Sequence, residues 1–492
     1  MGGIVAAGHP ATANAGADVL RAGGNAVDAA VGAMLASFVA EPLLTGLGAG
    51  GFMLVVAPDR DPVLLDFFVE APGREADPAA RAPLVPVDVS FGDVVQVFHI
   101  GASAAGTYGT PSGICAASQR FGTVPLAELA KPAAALARDG VEVTAEQAYV
   151  FEILAPIAAA TAESRALFMP EGHPLHAGER FVDPELGDAL ERLAAEGAEP
   201  FYTGEIAQRV CAWVADRGGT LGAADLADYG TCDRAPIRVD YHHREALLNP
   251  PPSAGGILIA YALALLARTP ETPTVEALVD VMARAQSERT PGFLEGLADR
   301  GFQDAFLASR LGATTHISVL DDAGWACSVT CTNGEGCGEI VPGTGIHLNN
   351  MMGEQDLSPL GWFTHPPGRR LPSMMAPTVV LDAAGVPELV LGSAGSNRIR
   401  SAVLQVIVNV LDRGMDAVAA VDAPRLHFED GVVYAEPGVD LAPLIAQRQA
   451  VERFRDRNLF FGGVQAVLRD PATGLLSGAA DPRRGGSAVI VR

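Results

Sequence analysis

The chain has 492 residues, of which 49% are hydrophobic and 19% charged, a composition that indicates a globular protein with a large core. Its net charge of −24 argues against nucleic-acid binding and against an anionic membrane surface, because both repel an acidic protein. Its six cysteines form no C-x-x-C pair, which argues against zinc and against a disulfide framework and favours reduced thiols.

The N-terminal residues show no targeting signal. The chain starts Met-Gly-Gly-Ile-Val-Ala-Ala-Gly-His, without the basic segment and apolar core of a signal peptide. Every apolar stretch is interrupted by glycine, proline or charge, so no membrane-spanning helix is predicted. We therefore expect a cytoplasmic protein without a membrane partner, unless a leader has been lost from this sequence.

Two helices are predicted near the N-terminus, over residues 11–22 and 25–41. Gly23 and Gly24 separate them, and Asn25 is a suitable N-cap for the second helix. These assignments place a pair of consecutive helices before the first predicted strand.

A glycine-rich run over residues 46–51 leads into the apolar residues 52–56. No helix follows it, so the run does not have the context of a dinucleotide-binding loop. Residues 64–68 form a predicted short strand, whereas residues 84–107 have a mixed pattern without an assignment.

The middle of the chain is predicted to be mainly helical. The helical segments are residues 124–139, 186–197, 204–217, 223–229 and 257–267. Two short strands, residues 237–241 and 245–248, precede the last of these helices.

Strand patterns dominate the last third. Residues 314–320 and 325–332 alternate around the turn sequence Asp-Asp-Ala-Gly, and residues 377–381 and 388–391 form a second predicted hairpin. One long helix over residues 396–413 and three further strands follow, the strands at residues 432–435, 464–469 and 488–491. Helices first and strands late are typical of sheets packed between helical layers.

The segment Thr314-Thr-His-Ile-Ser-Val319 concentrates reactive side chains. On a strand, Thr314, His316 and Ser318 would share one face. By composition alone, the pattern is also that of an ordinary β-branched strand with one hydrogen-bonded histidine, and this structural interpretation is then the stronger of the two.

A set of ordered motifs resembles the γ-glutamyltransferase family, a group of N-terminal-nucleophile hydrolases. The matching segments are Gly8–Thr12, Gly23–Ala30, Gly46–Leu54, Phe201–Glu205, Pro250–Gly256, Thr314–Val319 with the hairpin after it, Pro342–Asn350, Leu391–Ser396 and Asp481–Arg484. The resemblance implies a four-layer αββα sandwich of mixed α and β structure. It also implies one catalytic unit formed jointly by residues 1–313 and 314–492.

The resemblance implies a self-cleaving precursor. Thr314 would cut the Ala313–Thr314 bond and then serve as nucleophile, with its freed α-amino group as the base, while Thr315 is the competing nucleophile. Thr332 matches the threonine whose hydroxyl supports the nucleophile. Gly395 and Ser396 match two glycines whose backbone N–H groups form the oxyanion hole. No cofactor or metal is required.

The substrate-binding positions depart from the family pattern. Phe68 stands where the family has the arginine that binds the glutamyl carboxylate, and the serine pair beside it is reduced to Ser373. At the amino-group site the family has an Asn, a Gln or Glu, and an Asp. Asn333 stands for the first after a one-residue deletion, Met351 replaces the second, and Glu354 sits at the third with Asp356 close by. Arg369, Arg370 and Arg398 are the candidates to replace the missing arginine from another direction.

Three functions stay open at this point. The first is hydrolysis or transfer of γ-glutamyl groups from glutathione-like amides. The second is the same chemistry on another acyl group, which the residues Phe68 and Met351 favour. The third is an unprocessed binding protein. For either enzyme we expect a small-molecule amide or peptide substrate and a heterodimer of the two cleavage fragments, with a higher homo-oligomer possible.

Overall fold

A computed structural model describes residues 2–90, 95–268, 271–287, 315–358 and 361–492. The α-helices in these ranges are α1 Pro10–Arg21, α2 Ala26–Ala40, α3 Thr110–Phe121, α4 Leu126–Asp139, α5 Ala145–Ile153, α6 Ala155–Ala158, α7 Ala162–Phe168, α8 Pro184–Glu196, α9 Glu199–Tyr202, α10 Glu205–Asp216, α11 Ala223–Ala227, α12 Gly255–Leu266, α13 Val275–Ser287, α14 Arg398–Leu411, α15 Ala417–Asp422 and α16 Ala442–Ala446.

The strands in the same ranges are β1 Gly3–Ala7, β2 Gly50–Val56, β3 Val63–Phe67, β4 Val85–Ser90, β5 Val95–Ile100, β6 Val141–Glu142, β7 Arg180–Phe181, β8 Cys232–Arg234, β9 Ile237–Tyr241, β10 Arg244–Leu248, β11 Thr315–Asp321, β12 Ala326–Thr332, β13 Ile340–Val341, β14 Ile346–His347, β15 Thr378–Leu381, β16 Pro387–Ala394, β17 Leu426–Glu429, β18 Val432–Ala435, β19 Ala450–Arg453, β20 Gly463–Arg469, β21 Leu476–Ala480 and β22 Ser487–Val491.

Two antiparallel sheets form the centre of the molecule. One has seven strands in the order β22-β1-β11-β12-β2-β3-β8, and the other has six in the order β21-β20-β16-β15-β10-β9. Strands β11 and β12 pack against β16 of the facing sheet. The first predicted hairpin is therefore β11–β12 and the second is β15–β16, and each lies in the middle of its sheet.

Three apolar clusters separate four layers. One lies between α1, α2 and the seven-stranded sheet, a second lies between the two sheets, and a third lies between the six-stranded sheet and α12 and α14. This arrangement confirms the predicted αββα sandwich. Among the described residues, no helix is both long and apolar enough to cross a bilayer. The cytoplasmic location stays a prediction.

The helix α2 shows how its sequence produces a buried layer. Asn25 accepts hydrogen bonds from the backbone N–H groups of Val27 and Asp28, and the Asp28 carboxylate accepts one from the N–H of Asn25. This capping box fixes the start of the helix. Every residue of Ala26–Ala40 is buried, which fits a sequence that is apolar on all sides except at Asp28 and Ser37.

Several elements of the structure were not predicted, both before residue 170 and after it. Residues 84–107, which had no assignment, contain the β4–β5 ribbon, and α3 and α5 are helices that the sequence pattern did not indicate. Gly113 in α3 lies so close to Phe67 that a Cβ there would be 2.2 Å from the ring. Close packing against Phe67 thus explains why α3 contains a glycine, although glycine has a low helix propensity.

The layer between the sheets contains a buried histidine. His316 on β11 makes hydrogen bonds through Nδ1 to Thr330 Oγ1 (2.9 Å) and through Nε2 to Ser318 Oγ (2.8 Å). Gly392 of the facing sheet packs against the ring, and burial lowers the pKa of His316 to about 3. These contacts are those of a neutral imidazole with a structural role. They agree with the interpretation of this segment as an ordinary strand with one hydrogen-bonded histidine.

The neutral state of His316 predicts an acid-sensitive fold. Between about pH 6.5 and pH 3, His316 binds a proton in the unfolded chain but not in the folded one. The free energy of unfolding should therefore decrease as the pH is lowered through this window, by about 1.4 kcal/mol per pH unit for this group. Urea unfolding at pH 7 and pH 5 should show a smaller pH dependence for His316→Gln than for wild type. The exposed His176, changed to Gln, should leave the dependence as it is. An unchanged dependence in His316→Gln would contradict the assignment.

Candidate active site

One cavity collects most of the predicted catalytic residues. It lies where the ends of β12 and β16 meet the β4–β5 ribbon and α5. Its lining residues are Leu44, Gln96, Phe98, Val150, Ile153, Leu154, Thr332, Gly334, Glu335, Glu354, Gly395, Ser396, Arg398, Leu459 and Arg484. Thr332, Glu354, Gly395 and Ser396, which come from three separate places in the sequence, are thus brought to one site.

Thr332 is the last residue of β12 and pairs with Gly50 in the sheet register. Its Oγ accepts a hydrogen bond of 2.8 Å from the backbone N–H of Gly334, which fixes the hydroxyl at the cavity wall. The neighbouring strand β11 begins at Thr315, which pairs with Cys331, the residue before Thr332. Ala313 and Thr314, the predicted cleavage site and nucleophile, lie outside the described residues.

Gly395 and Ser396 form the turn between β16 and α14. Both have positive φ, +119° and +51°, and the turn leads directly into the helix that starts at Arg398. A Cβ on Gly395 would lie 2.7 Å from Gly462 Cα, so only glycine fits there. Backbone N–H groups at the start of a helix favour negative charge, which is what an oxyanion hole requires.

An acidic wall closes one side of the cavity. Glu354 is buried against Gly334, and Glu335 follows Gly334 in a loop held by the Asn350 side chain, which accepts a 3.2 Å hydrogen bond from the Glu335 N–H. Burial raises the pKa of the Glu335 carboxyl above its usual range, although Asn350 and nearby guanidinium groups oppose this. Asn333 is buried behind the wall, where its Nδ2 donates to His347 O.

Two arginines also line the cavity. Arg398 stacks over the ring of Phe460, with 4.5 Å from its guanidinium carbon to the ring centroid, and its Nε donates to Phe460 O (3.1 Å). Arg484 is the second arginine of the cavity. Of the three arginines considered as replacements for the missing carboxylate ligand, Arg398 is the one that lines the cavity.

The apolar part of the lining was not predicted. Gln96 and Phe98 come from β5, and Val150, Ile153 and Leu154 come from the end of α5. These segments lack a motif, and their place at the site depends on how the ribbon and helix pack on the sheets. Glu335, Leu459 and Arg484 were also not singled out as site residues. The motif Asp481–Arg484 was the only available signal for Arg484.

Three predicted substrate residues lie elsewhere. Phe68 and Met351 are buried in the apolar cluster between the sheets, and the Phe68 ring stacks on Phe52. Ser373 is buried as well, with its Oγ accepting a hydrogen bond from Met375 N. None of the three lines the cavity, so the structure does not place them with Thr332 and Gly395, and their roles stay predictions.

Arg370 occupies the space behind Phe68 without reaching the cavity. Its guanidinium is buried, donates to Phe68 O, Tyr229 OH and Gly230 O, and lies 3.4 Å from Glu70. All of these partners belong to the protein. Arg370 therefore fixes the chain at Phe68 and is unsuited to bind a substrate carboxylate.

Metal and thiol chemistry have little support at this cavity. Within the described ranges, the one group with three candidate ligand atoms close together is His173, His176 and Glu179, in a loop outside the cavity. Cys331, behind Thr332, is buried, and burial raises the pKa of its thiol to about 11. It therefore stays protonated at neutral pH and packs as a small apolar group.

A family model described as gamma-glutamyltranspeptidase matches residues 12–305 and 298–491. The chain belongs to this family. An acylase ACY 1 proenzyme of Pseudomonas sp. (strain SE83) is 32% identical, over 99% of this chain and 93% of the relative. A glutathione hydrolase proenzyme of Escherichia coli (strain K12) is 30% identical, over 98% of this chain and 90% of the relative.

A solved structure extends the similarity to three dimensions. The crystal structure of cephalosporin acylase from Bacillus halodurans superposes with a TM-score of 0.85 at 26% identity, covering 99% of this chain and 95% of that one. The γ-glutamyltranspeptidase-family chain is thus an N-terminal-nucleophile hydrolase, an enzyme that hydrolyses or transfers acyl groups. The names of these relatives include both a glutathione hydrolase and acylases.

Proposed function

We propose that the chain cleaves itself at Ala313–Thr314 and that the freed Thr314 then catalyses acyl hydrolysis or transfer. In the first step Thr314 Oγ attacks the Ala313 carbonyl carbon, the peptide C–N bond breaks, and an ester forms. Water hydrolyses that ester, leaving a carboxylate on Ala313 and an α-amino group on Thr314. This amine, with a reference pKa of about 7.7–8.0, then accepts the Oγ proton when Thr314 attacks a substrate.

The shared cavity of Thr332, Gly395 and Ser396 is the observation that carries this proposal. The Thr332 hydroxyl and the turn at Gly395 lie at the same cavity, and β11, which starts immediately after Thr314, begins beside the Thr332 end of β12. In catalysis the substrate carbonyl oxygen becomes negative, and the N–H groups of the turn stabilise it. The leaving amine takes the proton from the Thr314 ammonium, and water or an acceptor amine then releases the acyl group.

The two fragments are proposed to stay together as a heterodimer. In the seven-stranded sheet, β1, β2, β3 and β8 precede the cleavage site, whereas β22, β11 and β12 follow it. Strand β11 pairs with β1, and β12 pairs with β2. Hydrogen bonds between the fragments therefore continue through the centre of the sheet.

The proposed substrates are small amides, of which γ-glutamyl amides such as glutathione are the first class. The name of the Escherichia coli relative and the carboxylates Glu335 and Glu354, which can bind an ammonium group, support this class. An amide with another acyl group is the second class. The position of Phe68 in the core, where the family arginine is absent, and the names of the acylase relatives support it.

A series of four p-nitroanilides separates these classes. The γ-glutamyl compound has an ammonium and a carboxylate, the glutaryl compound only the carboxylate, the γ-aminobutyryl compound only the ammonium, and the butyryl compound neither. We expect release of p-nitroaniline from at least one of them, and the ranking of kcat/KM identifies the groups that are recognised. No turnover by fully cleaved protein of any of the four would contradict the proposal.

The hydroxyl of Thr332 is predicted to be needed for the chemical step. Thr332→Val keeps the shape and removes the oxygen, and it should lower kcat by about 10²-fold or more. Thr332→Ser keeps the hydroxyl, so it should retain most of the activity. Both are measured on the best p-nitroanilide, using protein whose cleavage has been verified. Equal kcat for the Val and Ser variants would remove Thr332 from the mechanism.

A further inference from the structure

Arg484 differs from the arginines around it. Arg483, its neighbour, donates to Glu436 and Asp481, and Arg425 lies 2.7 Å from Asp481. Among the described residues, Arg484 has no ion pair and no side-chain hydrogen bond, and its Nε is buried without a partner. The sequence Asp481-Pro-Arg-Arg thus anchors its first arginine in the protein and directs the second into the cavity.

The guanidinium of Arg484 lies beside the turn that forms the proposed oxyanion hole. A Cβ added to Gly395 would be 3.8 Å from Arg484 Nη2. The Arg484 stem crosses Gly463, where a Cβ would be 2.4 Å from Arg484 Cδ, so glycine at that position allows the arginine to reach the cavity. Burial lowers the pKa of Arg484 to about 10, which still leaves it charged at neutral pH.

The charges around Arg484 do not neutralise it directly. Asp481, Glu41 and Glu335 act on it electrostatically, but within the described ranges none of them forms an ion pair with Arg484. A partly buried cation without a close anion is costly, and the cost falls when a ligand supplies a carboxylate with two oxygens for the planar guanidinium.

We propose that Arg484 binds a carboxylate carried by the acyl group of the substrate, and that it is a specificity-determining residue of the site. The proposal rests on the proposed function and narrows its substrate class to carboxylate-bearing acyl groups, such as glutaryl or γ-glutamyl. Arg484 approaches from the side of Gly395 and Gly463, whereas Phe68, at the position of the family arginine, is in the core. The residue that binds the substrate carboxylate has therefore moved to another part of the chain.

The test compares glutaryl- and butyryl-p-nitroanilide, which differ by the carboxylate. Arg484→Gln should lower kcat/KM for the glutaryl compound by roughly 30- to 5000-fold and change that for the butyryl compound by less than about threefold. Arg484→Lys should recover part of the loss, and Arg453→Gln, at an exposed position, should behave as wild type. An equal loss on both substrates would overturn the proposal in favour of a general effect on the oxyanion, and no loss on either would overturn it outright.

A binding measurement covers the case in which Arg484→Gln is not cleaved. In the Thr314→Ala background, glutarate should raise the melting temperature, butyrate should not, and adding Arg484→Gln should abolish the glutarate effect. An undiminished glutarate effect in the double variant would contradict the proposal. Failure of the proposed function has a different signature, since wild type would then turn over neither anilide although glutarate could still bind.

Discussion

Thr314→Ala should yield a single uncut chain of 492 residues without hydrolase activity. The substitution removes the oxygen that attacks the Ala313 carbonyl, and the uncut chain has no amine at position 314 to act as base. Wild type should give two fragments, residues 1–313 and 314–492. Intact-mass measurement and N-terminal sequencing detect the cut, and the p-nitroanilide assay should show a loss of at least 10⁴-fold, as for other essential nucleophiles.

Thr315→Ala is the matched control for this experiment. It removes the adjacent hydroxyl in the same sequence, so the cut and the activity should survive. Cleavage at the Thr314–Thr315 bond, or cleavage that persists in Thr314→Ala, would identify Thr315 as the nucleophile. A wild-type chain that stays uncut on long incubation would favour the binding-protein hypothesis over both enzymatic ones.

Asp481→Asn should cost about 3–5 kcal/mol in the free energy of unfolding, because it leaves the buried guanidinium of Arg425 without its anion and that of Arg483 with Glu436 alone. Asp481 is fully buried, pairs with Arg425 (2.7 Å) and Arg483 (3.1 Å), and accepts hydrogen bonds from the backbone N–H groups of Val464 and Arg483. Urea unfolding measures the loss, and Asp59→Asn at an exposed position is the control with the same charge change. A loss below 1 kcal/mol would show that the cluster is dispensable.

The same cluster has a predicted pH dependence. Burial alone would raise the pKa of Asp481, but the charges of Arg425 and Arg483 hold it below its usual value. A lowered carboxyl pKa gives stability that is complete above the unfolded value of about 3.9 and is lost as pH falls through the folded value. Asp481→Asn should therefore unfold in acid with a smaller dependence on pH below 4 than wild type.

The sequence predicted those elements whose local pattern agrees with their place in the fold. The hairpin β11–β12 has alternating residues and an Asp-Asp-Ala-Gly turn, and α2 has a cap and a long apolar run. Strand β1 was missed, because every residue of Gly3–Ala7 is buried in a central strand and the segment has no alternation. Five apolar residues without a period do not identify a strand.

The catalytic part of the site was easier to predict than its specificity. Thr332, Gly395 and Ser396 stand in motifs that the family resemblance identifies, and they do line one cavity. Phe68 signalled a change of specificity, but the sequence does not show which residue takes over. Arg483 and Arg484 are adjacent and chemically identical, and only the positions of their partners in space separate a structural arginine from one that faces the cavity.

The alternation of strands from both sides of position 314 also determines how the enzyme regains its structure after denaturation. Before cleavage the central pairs β1–β11 and β12–β2 form within one polypeptide, so recovery is a first-order process. After the proposed cleavage the same pairs would join two molecules, so recovery would become second-order and depend on protein concentration. At low concentration the cleaved enzyme would then keep its structure mainly because unfolding is slow.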